Sequence, residues 1–447
     1  MITNSLQLTG TVLKQGERGF DQAVLDTLFN KVNPGQRPAV MVCPQTIDDV
    51  INAVRYARSA GQTVSICSGG HSWSANHVRA GSILINMRGF NQYTVDREAM
   101  TARVGPGVGG STLLTALTEQ GLFFPAGHCK GVCVGGYLLQ GGFGWHGRKL
   151  GMACENVIGL DIVTAEGELV HASPTQNPDL YWSARGSGGG FFGVVVCFHL
   201  QLFPKPKHMG MATHVFSLRH MESVFRWAHE VGPSVPNTVE FQILTSRRVL
   251  QYLWAGMEVI APVFADSRDE LEASLSFMNN SPVRKKAFIR LPYRELPMAT
   301  FYNYAMTHYP DNHCWGVDNM WTKAGIDDLM PHLHRIADTL PPAPSHFLWL
   351  NWYPPKNRPD MAFSMEDHLY LALYGTWKSG TETPRYGNWA HDHMQTMAHL
   401  STGIQLADEG LHKRTAPFVS APHLQRLDVA RGHYDPDGLF NAWHSRP

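Results

Sequence analysis

This 447-residue chain has no excess of charge of either sign, no long apolar run and no dense cysteine pattern. Its 37 basic and 37 acidic residues cancel, so neither nucleic acid nor an anionic membrane surface is expected as a partner. No segment has the uninterrupted apolar length that spans a bilayer, and the start, MITNSLQLTG, lacks the basic and apolar stretches of a signal peptide. A cytoplasmic protein is expected. Seven scattered cysteines (Cys43, Cys67, Cys129, Cys133, Cys154, Cys197, Cys314) are too few for a disulfide scaffold and read as reduced. Internal repeats and low-complexity tracts are lacking too. What is present is a globular composition, 43% hydrophobic and 17% charged, in a chain long enough for two domains.

Residues 39–68 read as strand, helix, strand, with Thr46 as N-cap, Val50, Val54 and Ala57 on one helical face and Gly61 just past the end. Strand patterns at 82–86 and 101–104 lead through GPGVGG to a helix over 111–120. A strand at 157–164 turns at Glu166 and Gly167 into 168–171. After Gly193 the run VVVCFHLQLF is a strand that the prolines of LFPKPK terminate. Residues 209–415 alternate strands with amphipathic helices, the pattern of a large antiparallel sheet covered by helices on one face.

Two stretches match GxGxxG, 105–110 and 188–193, but neither reads as a Rossmann turn. In the first, Pro106 removes a backbone donor and no acidic residue ends the next strand; the second leads into a strand. SGGHSW at 68–73 is more specific, because successive glycines directly after a strand let backbone amides converge on a diphosphate. PAGHCKGVCVGGYLLQGGFG at 125–144 surrounds Cys129 with glycines that permit close backbone approach.

These two segments resemble the vanillyl-alcohol-oxidase (PCMH) type of FAD domain, and in particular its berberine-bridge-enzyme-like members. MACENVIGLDIVTAEGELV at 152–170, DLYWSARGSGGGFFGVVVCFHLQLFP at 179–204 and YDPDGLF at 434–440 extend the likeness. The resemblance implies an α+β fold with a two-part FAD-binding domain, residues 1–205 and 416–447, and a substrate-binding domain at 206–415. It implies an FAD bonded twice, through His71 to the flavin 8α-methyl group and through Cys129 to C6. Ser68, Gly69, Gly70, Ser72, Trp73, Gly105, Gly107, Val132, Gly135, Gly136, Gly141, Gly142, Gly144, Asn156 and Val157 would surround the cofactor, with Tyr434 and Phe440 as structural neighbours. Cys133 departs from the family, which usually has glycine there. Valine at position 132 goes with oxygen use in related proteins, and bulkier isoleucine with poor use. The implied activity is that of an oxidase: hydride leaves an alcohol, carbohydrate or secondary-metabolite CH–OH carbon for flavin N5, and dioxygen becomes hydrogen peroxide. A dehydrogenase with another acceptor, or a flavin carrier without turnover, remains open.

On the substrate side, residue parity separates the faces of each strand. In HLYLALYGTW, Leu369, Leu371 and Leu373 suit the covering helices and leave Tyr370 and Tyr374 for the site; in SHFLWLNWY, Trp349, Asn351 and Tyr353 share a parity, as do Glu240 and Gln242 in VEFQIL. The family's base is often the tyrosine of a YxN motif, but here Thr402 and Ile404 stand in its place. The proton acceptor stays open among Tyr353, Tyr370, Tyr374, Glu240 and His368, with Asn351 as a further site candidate. The histidine pairs at 332–334 and 391–393 lie two apart, a spacing that a helix does not bring together, so no metal is expected.

Overall fold

The computed structural model describes residues 8–249, 254–355, 357–379 and 384–446. The first α/β unit forms as its pattern dictates. Helix Ile47–Ser59 starts with a Thr46–Asp49 capping box, buries Val50, Val54 and Ala57, and is followed by Gly61 at φ 62°, a left-handed position that favours glycine. Strands Val40–Cys43, Ile83–Asn86 and Val64–Cys67 pair in parallel, and Thr11–Lys14 joins as an antiparallel edge. A second, five-stranded antiparallel sheet runs in the order Tyr93–Asp96, Thr101–Val104, Val194–Gln201, Val157–Val163, Leu169–Ala172. Because Thr101–Val104 pairs only antiparallel, the glycine-rich turn after it belongs to no parallel βαβ crossover. Near the chain end, Val64 donates to the Leu439 carbonyl and accepts from the Asn441 amide (2.7 and 2.9 Å).

The third sheet has seven antiparallel strands in the order Ile289–Glu295, His208–Ser217, Gly256–Ala265, Phe241–Ser246, His346–Asn351, Leu369–Lys378, His313–Thr322. Helices Met221–Val231, Arg268–Asn279, Ile326–Thr339 and Trp389–Thr396 pack on one of its faces, where Leu369, Leu371 and Leu373 join their apolar residues. The opposite face carries Tyr370, Ala372 and Tyr374 and merges with the core of the first two sheets.

One sequence expectation reverses on this sheet. Paired residues of antiparallel strands share a face, and Trp349 pairs with Leu371 and Asn351 with Leu369. Trp349 and Asn351 therefore point at the helices, while Leu348 and Leu350 take the inner face beside Tyr370. The Asn351 amide donates to the Ala228 carbonyl of a covering helix at 3.4 Å. Tyr353 lies past the strand at φ 47°, stacked on His368 with ring centroids 4.8 Å apart. All seven cysteines are free, and no described helix is long and apolar enough to cross a membrane.

Candidate active site

A deep cavity separates the inner face of the seven-stranded sheet from the loops of the first two sheets. Ser68, Gly69, Gly70, His71, Ser72 and Trp73 line it, immediately beyond strand Val64–Cys67. The turn there needs its glycine: Gly70 sits at φ 69°, and a Cβ on it would lie 1.6 Å from the Thr27 carbonyl oxygen. His71 stacks on Phe29 with centroids 4.0 Å apart and planes at 17°. Burial, then the Arg88 charge, pulls its pKa down to about 3, so the imidazole is neutral and keeps a nucleophilic nitrogen.

The second wall is the 127–136 segment, pinned to the 105–110 turn by backbone bonds from Gly110 to Val132 (2.8 Å), Val134 to Val108 (2.9 Å) and Gly135 to Pro106 (3.0 Å). Cys129, Val132, Cys133, Gly135 and Gly136 all reach the cavity. A Cβ on Gly131, which is at φ 81°, would sit 3.0 Å from His71 Nε2, which shows how closely the two loops approach. Burial, then the Asp408 charge, pushes the Cys129 thiol pKa up.

Several expected cofactor residues stand behind the walls instead of in them. Gly105 and Gly107 press on the Phe90 and on the Met87 and Arg88 carbonyls, where a Cβ would come within 2.3 and 2.6 Å respectively. Gly141 packs on Phe363, Gly142 on Ala153 and Tyr137, and Gly144 on Tyr137 and Ala126. Asn156 donates to the Leu150 carbonyl at 3.1 Å, the Val157 carbonyl accepts from Tyr181, and Tyr434 stacks on Phe192. These eight residues support loops and do not line the cavity, whereas Phe440 does line it. Gly188, Gly189 and Gly193, from the stretch that does not read as a Rossmann turn, also form part of the wall.

The polar centre is a residue that the sequence did not single out. Asp408 lies on the short turn Leu406–Asp408, which Gln405 caps and the Asn319 amide grips through the Gln405 and Asp408 carbonyls (3.0 and 2.8 Å). Its Oδ1 accepts from Trp73 Nε1 at 2.7 Å, and its Oδ2 accepts from the hydroxyls of Tyr370 and Tyr374, the latter at 2.8 Å. Burial, then Asp408, pushes both tyrosines well above their usual pKa, so each remains a hydrogen-bond donor. His346 stacks beneath Tyr374 (4.6 Å, 18°), and its Nε2 and the Nε2 of cavity-lining His308 have no partner. Burial lowers the pKa of His308 to about 4, and burial then the His308 charge lowers that of His346 to about 3.

The other proposed proton acceptors lie elsewhere. Asn351 and Tyr353 are on the helix side of the sheet, and His368 is exposed beside Tyr353. The Glu240 carboxylate is taken up by His128 Nε2 (2.9 Å), Gln242 Nε2 (3.2 Å) and the His146 amide. Thr402 and Ile404 hold the turn, their amides bonded to the Trp321 and Pro417 carbonyls (2.9 and 2.7 Å).

The walls fit a dinucleotide cofactor. Gly69, Gly70, Gly188 and Gly189 line the cavity, and a Cβ on Gly136 would meet nothing within 4 Å. Such a cavity, with a neutral histidine, two thiols and a carboxylate–tyrosine group facing one space, is that of a flavin-dependent oxidoreductase. A family model described as an FAD binding domain matches residues 38–173. FAD-linked oxidoreductase nodO of Hypoxylon pulicicidum is 29% identical over 93% of this chain and 92% of its own length. Among solved structures, 6-hydroxy-D-nicotine oxidase of Arthrobacter nicotinovorans superposes with TM-score 0.85 at 20% identity, over 100% of this chain and 99% of its own. The BBE-like 1 protein of Physcomitrella patens gives 0.84 at 20% identity over 97% and 96%. The chain carries an FAD-binding domain, shares the fold of the berberine-bridge-enzyme-like structures and is an FAD-dependent oxidoreductase.

Proposed function

We propose that the protein is an oxidase that takes hydride from the CH–OH carbon of a largely apolar alcohol or phenolic substrate and passes the electrons to dioxygen, with Asp408 as the proton sink. The carrying observation is Asp408, bonded at once to Tyr370, Tyr374 and Trp73 inside the cavity that His71 and Cys129 line. FAD, when bound, accepts hydride and delivers electrons onward. A tyrosine that donates to Asp408 keeps its oxygen lone pairs for the substrate hydroxyl. As the substrate proton moves to Tyr370 or Tyr374 Oη, the tyrosine's own proton moves to Asp408 Oδ2, and no net charge develops on the ring oxygen. Trp73 holds the other carboxylate oxygen in place.

His71 and Cys129 would anchor the flavin covalently, His71 as the neutral imidazole its low pKa ensures. Attack by Cys129 needs its thiolate, which burial and then the Asp408 charge oppose. Val132, in the same wall, supports dioxygen as acceptor in preference to a dehydrogenase partner. The sheet side argues for an apolar substrate over a sugar: Met211, Leu244, Ile260, Pro262, Leu348 and Leu350 face the space, with Gln242 among them as a polar contact. Aerobic peroxide formation across matched panels of apolar alcohols, phenolics and carbohydrates tests the reading. Turnover of apolar alcohols or phenolics with peroxide release is expected. Reduction of the flavin without peroxide would make it a dehydrogenase, and a sugar preference would overturn the substrate class.

A further inference from the structure

On the five-stranded sheet, away from the cavity, Asp161, His171 and His199 converge from three neighbouring strands, Val157–Val163, Leu169–Ala172 and Val194–Gln201. Asp161 Oδ1 lies 2.7 Å from His171 Nδ1, and its Oδ2 lies 3.1 Å from His199 Nε2. The imidazole planes stand at 88° with centroids 5.2 Å apart. Each side chain offers one ligand atom, and all three atoms lie within 4.8 Å of one another. We propose that this trio is a binding site for a divalent transition-metal ion of the zinc type, bridging the three strands.

The donor spacing suits the ion. Four ligands at about 2.0–2.1 Å around tetrahedral zinc stand about 3.3 Å apart; the carboxylate meets the two imidazoles through different oxygens, at 2.7 and 3.1 Å, and one donor atom from each residue lies within 4.8 Å of the others, so small side-chain rotations bring the three onto one ion. Two imidazoles and a carboxylate are the donor types that zinc takes, with the remaining position open to water. The backbone also leaves room for the rings. Gly159 pairs directly with His199, and a Cβ on it would come within 3.0 and 3.2 Å of His171 Cε1 and Nε2. A side chain there would displace the His171 ring from the trio. Ligands on paired strands are also held more precisely than ligands on loops. A competitor is visible: the exposed Arg103 places a guanidinium nitrogen 3.6 Å from Asp161 Oδ2, and it must swing into solvent when the ion enters. The histidine pairs at 332–334 and 391–393 give no hint of this trio, because its members lie 10 and 38 positions from Asp161 and meet only through sheet pairing.

The test uses the intact flavoprotein, stripped with a chelator and dialysed against Zn2+ or Co2+. The wild type is expected to take up one ion per chain, with a ligand-field absorption for Co2+, and its melting temperature is expected to rise with Zn2+. His171→Ala and His199→Ala, on different strands, are each expected to weaken binding at least tenfold and to abolish the thermal shift while retaining the wild-type circular dichroism. Arg103→Gln is expected to tighten binding. No saturable uptake by the wild type, or unchanged uptake in both histidine variants, would overturn the proposal.

Discussion

Replacing Asp408 by asparagine separates proton transfer from everything else the cavity does. The carboxylate accepts from Trp73 through one oxygen and from Tyr370 and Tyr374 through the other. An amide of the same shape keeps one acceptor and presents two donors to groups that are themselves donors. It cannot take a proton at neutral pH. Removing a proton acceptor of this kind costs about 10²–10⁴-fold in rate, about 2.7–5.4 kcal/mol of barrier. The structural loss is smaller: one charge-assisted bond forfeited is worth about 1.5–3 kcal/mol, partly offset because a buried charge no longer needs solvation. Asp408→Asn should therefore stay folded and yellow, while anaerobic flavin reduction by a substrate from the panel falls by about 100-fold or more. Stopped-flow reduction, reoxidation by oxygen and thermal melting are measured on the same sample. Reduction within about threefold of wild type would refute the role of Asp408, and equal loss in both half-reactions would show general damage to the site.

Acid-precipitated protein is expected to remain yellow, and the double variant His71→Ala/Cys129→Ala to release FAD into the supernatant; colour lost from the wild-type pellet would refute covalent attachment. Val132→Ile should slow reoxidation by about tenfold, about 1.4 kcal/mol of barrier, and leave anaerobic reduction unchanged, because an added methylene fills space in a packed wall; stopped-flow traces of the two half-reactions decide it. Asn351→Ala should cost about 1–3 kcal/mol of stability but leave turnover near wild type, since Asn351 faces the helices, whereas Tyr374→Phe should show the opposite pattern. For pH, burial holds the folded-state pKa of His308 near about 4 and that of His346 near about 3. An unfolded histidine titrates near about 6.5, so the stability these two contribute is present above that value and is lost as pH falls through the folded pKa values, by at most about 1.4 kcal/mol per pH unit for each group. Melting curves from pH 8 to 4 should show His346→Gln losing less on acidification than wild type, and parallel curves would refute it.

Parity worked on one strand and failed on its neighbour for a physical reason. Leu369, Leu371 and Leu373 alternate with Tyr370 and Tyr374, so the two faces of Leu369–Lys378 differ in kind and the apolar one goes to the helices. His346–Asn351 is buried on both faces and bulky on both, and an alternation of Phe347 and Trp349 with Leu348 and Leu350 carries no polarity difference to read. Its orientation comes from register, Trp349 against Leu371 and Leu350 against Tyr370, and register is a property of two strands, not of one.

The site divides along the same line. SGGHSW and the segment around Cys129 are legible through their resemblance to a known FAD domain, and His71 and Cys129 do line one cavity together with the glycines beside them. For Gly141, Gly142 and Gly144, sequence shows only that the backbone can be approached closely, and the neighbour proves to be protein on the far side of the wall. Asp408 is the extreme case. Its own stretch offers an acid on a turn, which by itself is ordinary solvent-facing sequence; its partners Tyr374 and Tyr370 lie 34 and 38 residues earlier, and Trp73 lies 335 earlier. Nothing local distinguishes it from Glu409 beside it, yet Glu409 turns away to Ser74 and the Leu411 amide. The distinction is made by the grip of Asn319 on the turn, which aims one carboxylate into the cavity and the next into the loop behind it. The proposed proton acceptor is thus positioned by the strand that holds its turn, so Asn319→Ala should impair flavin reduction without touching the cavity, and full activity in a folded Asn319→Ala protein would remove that link.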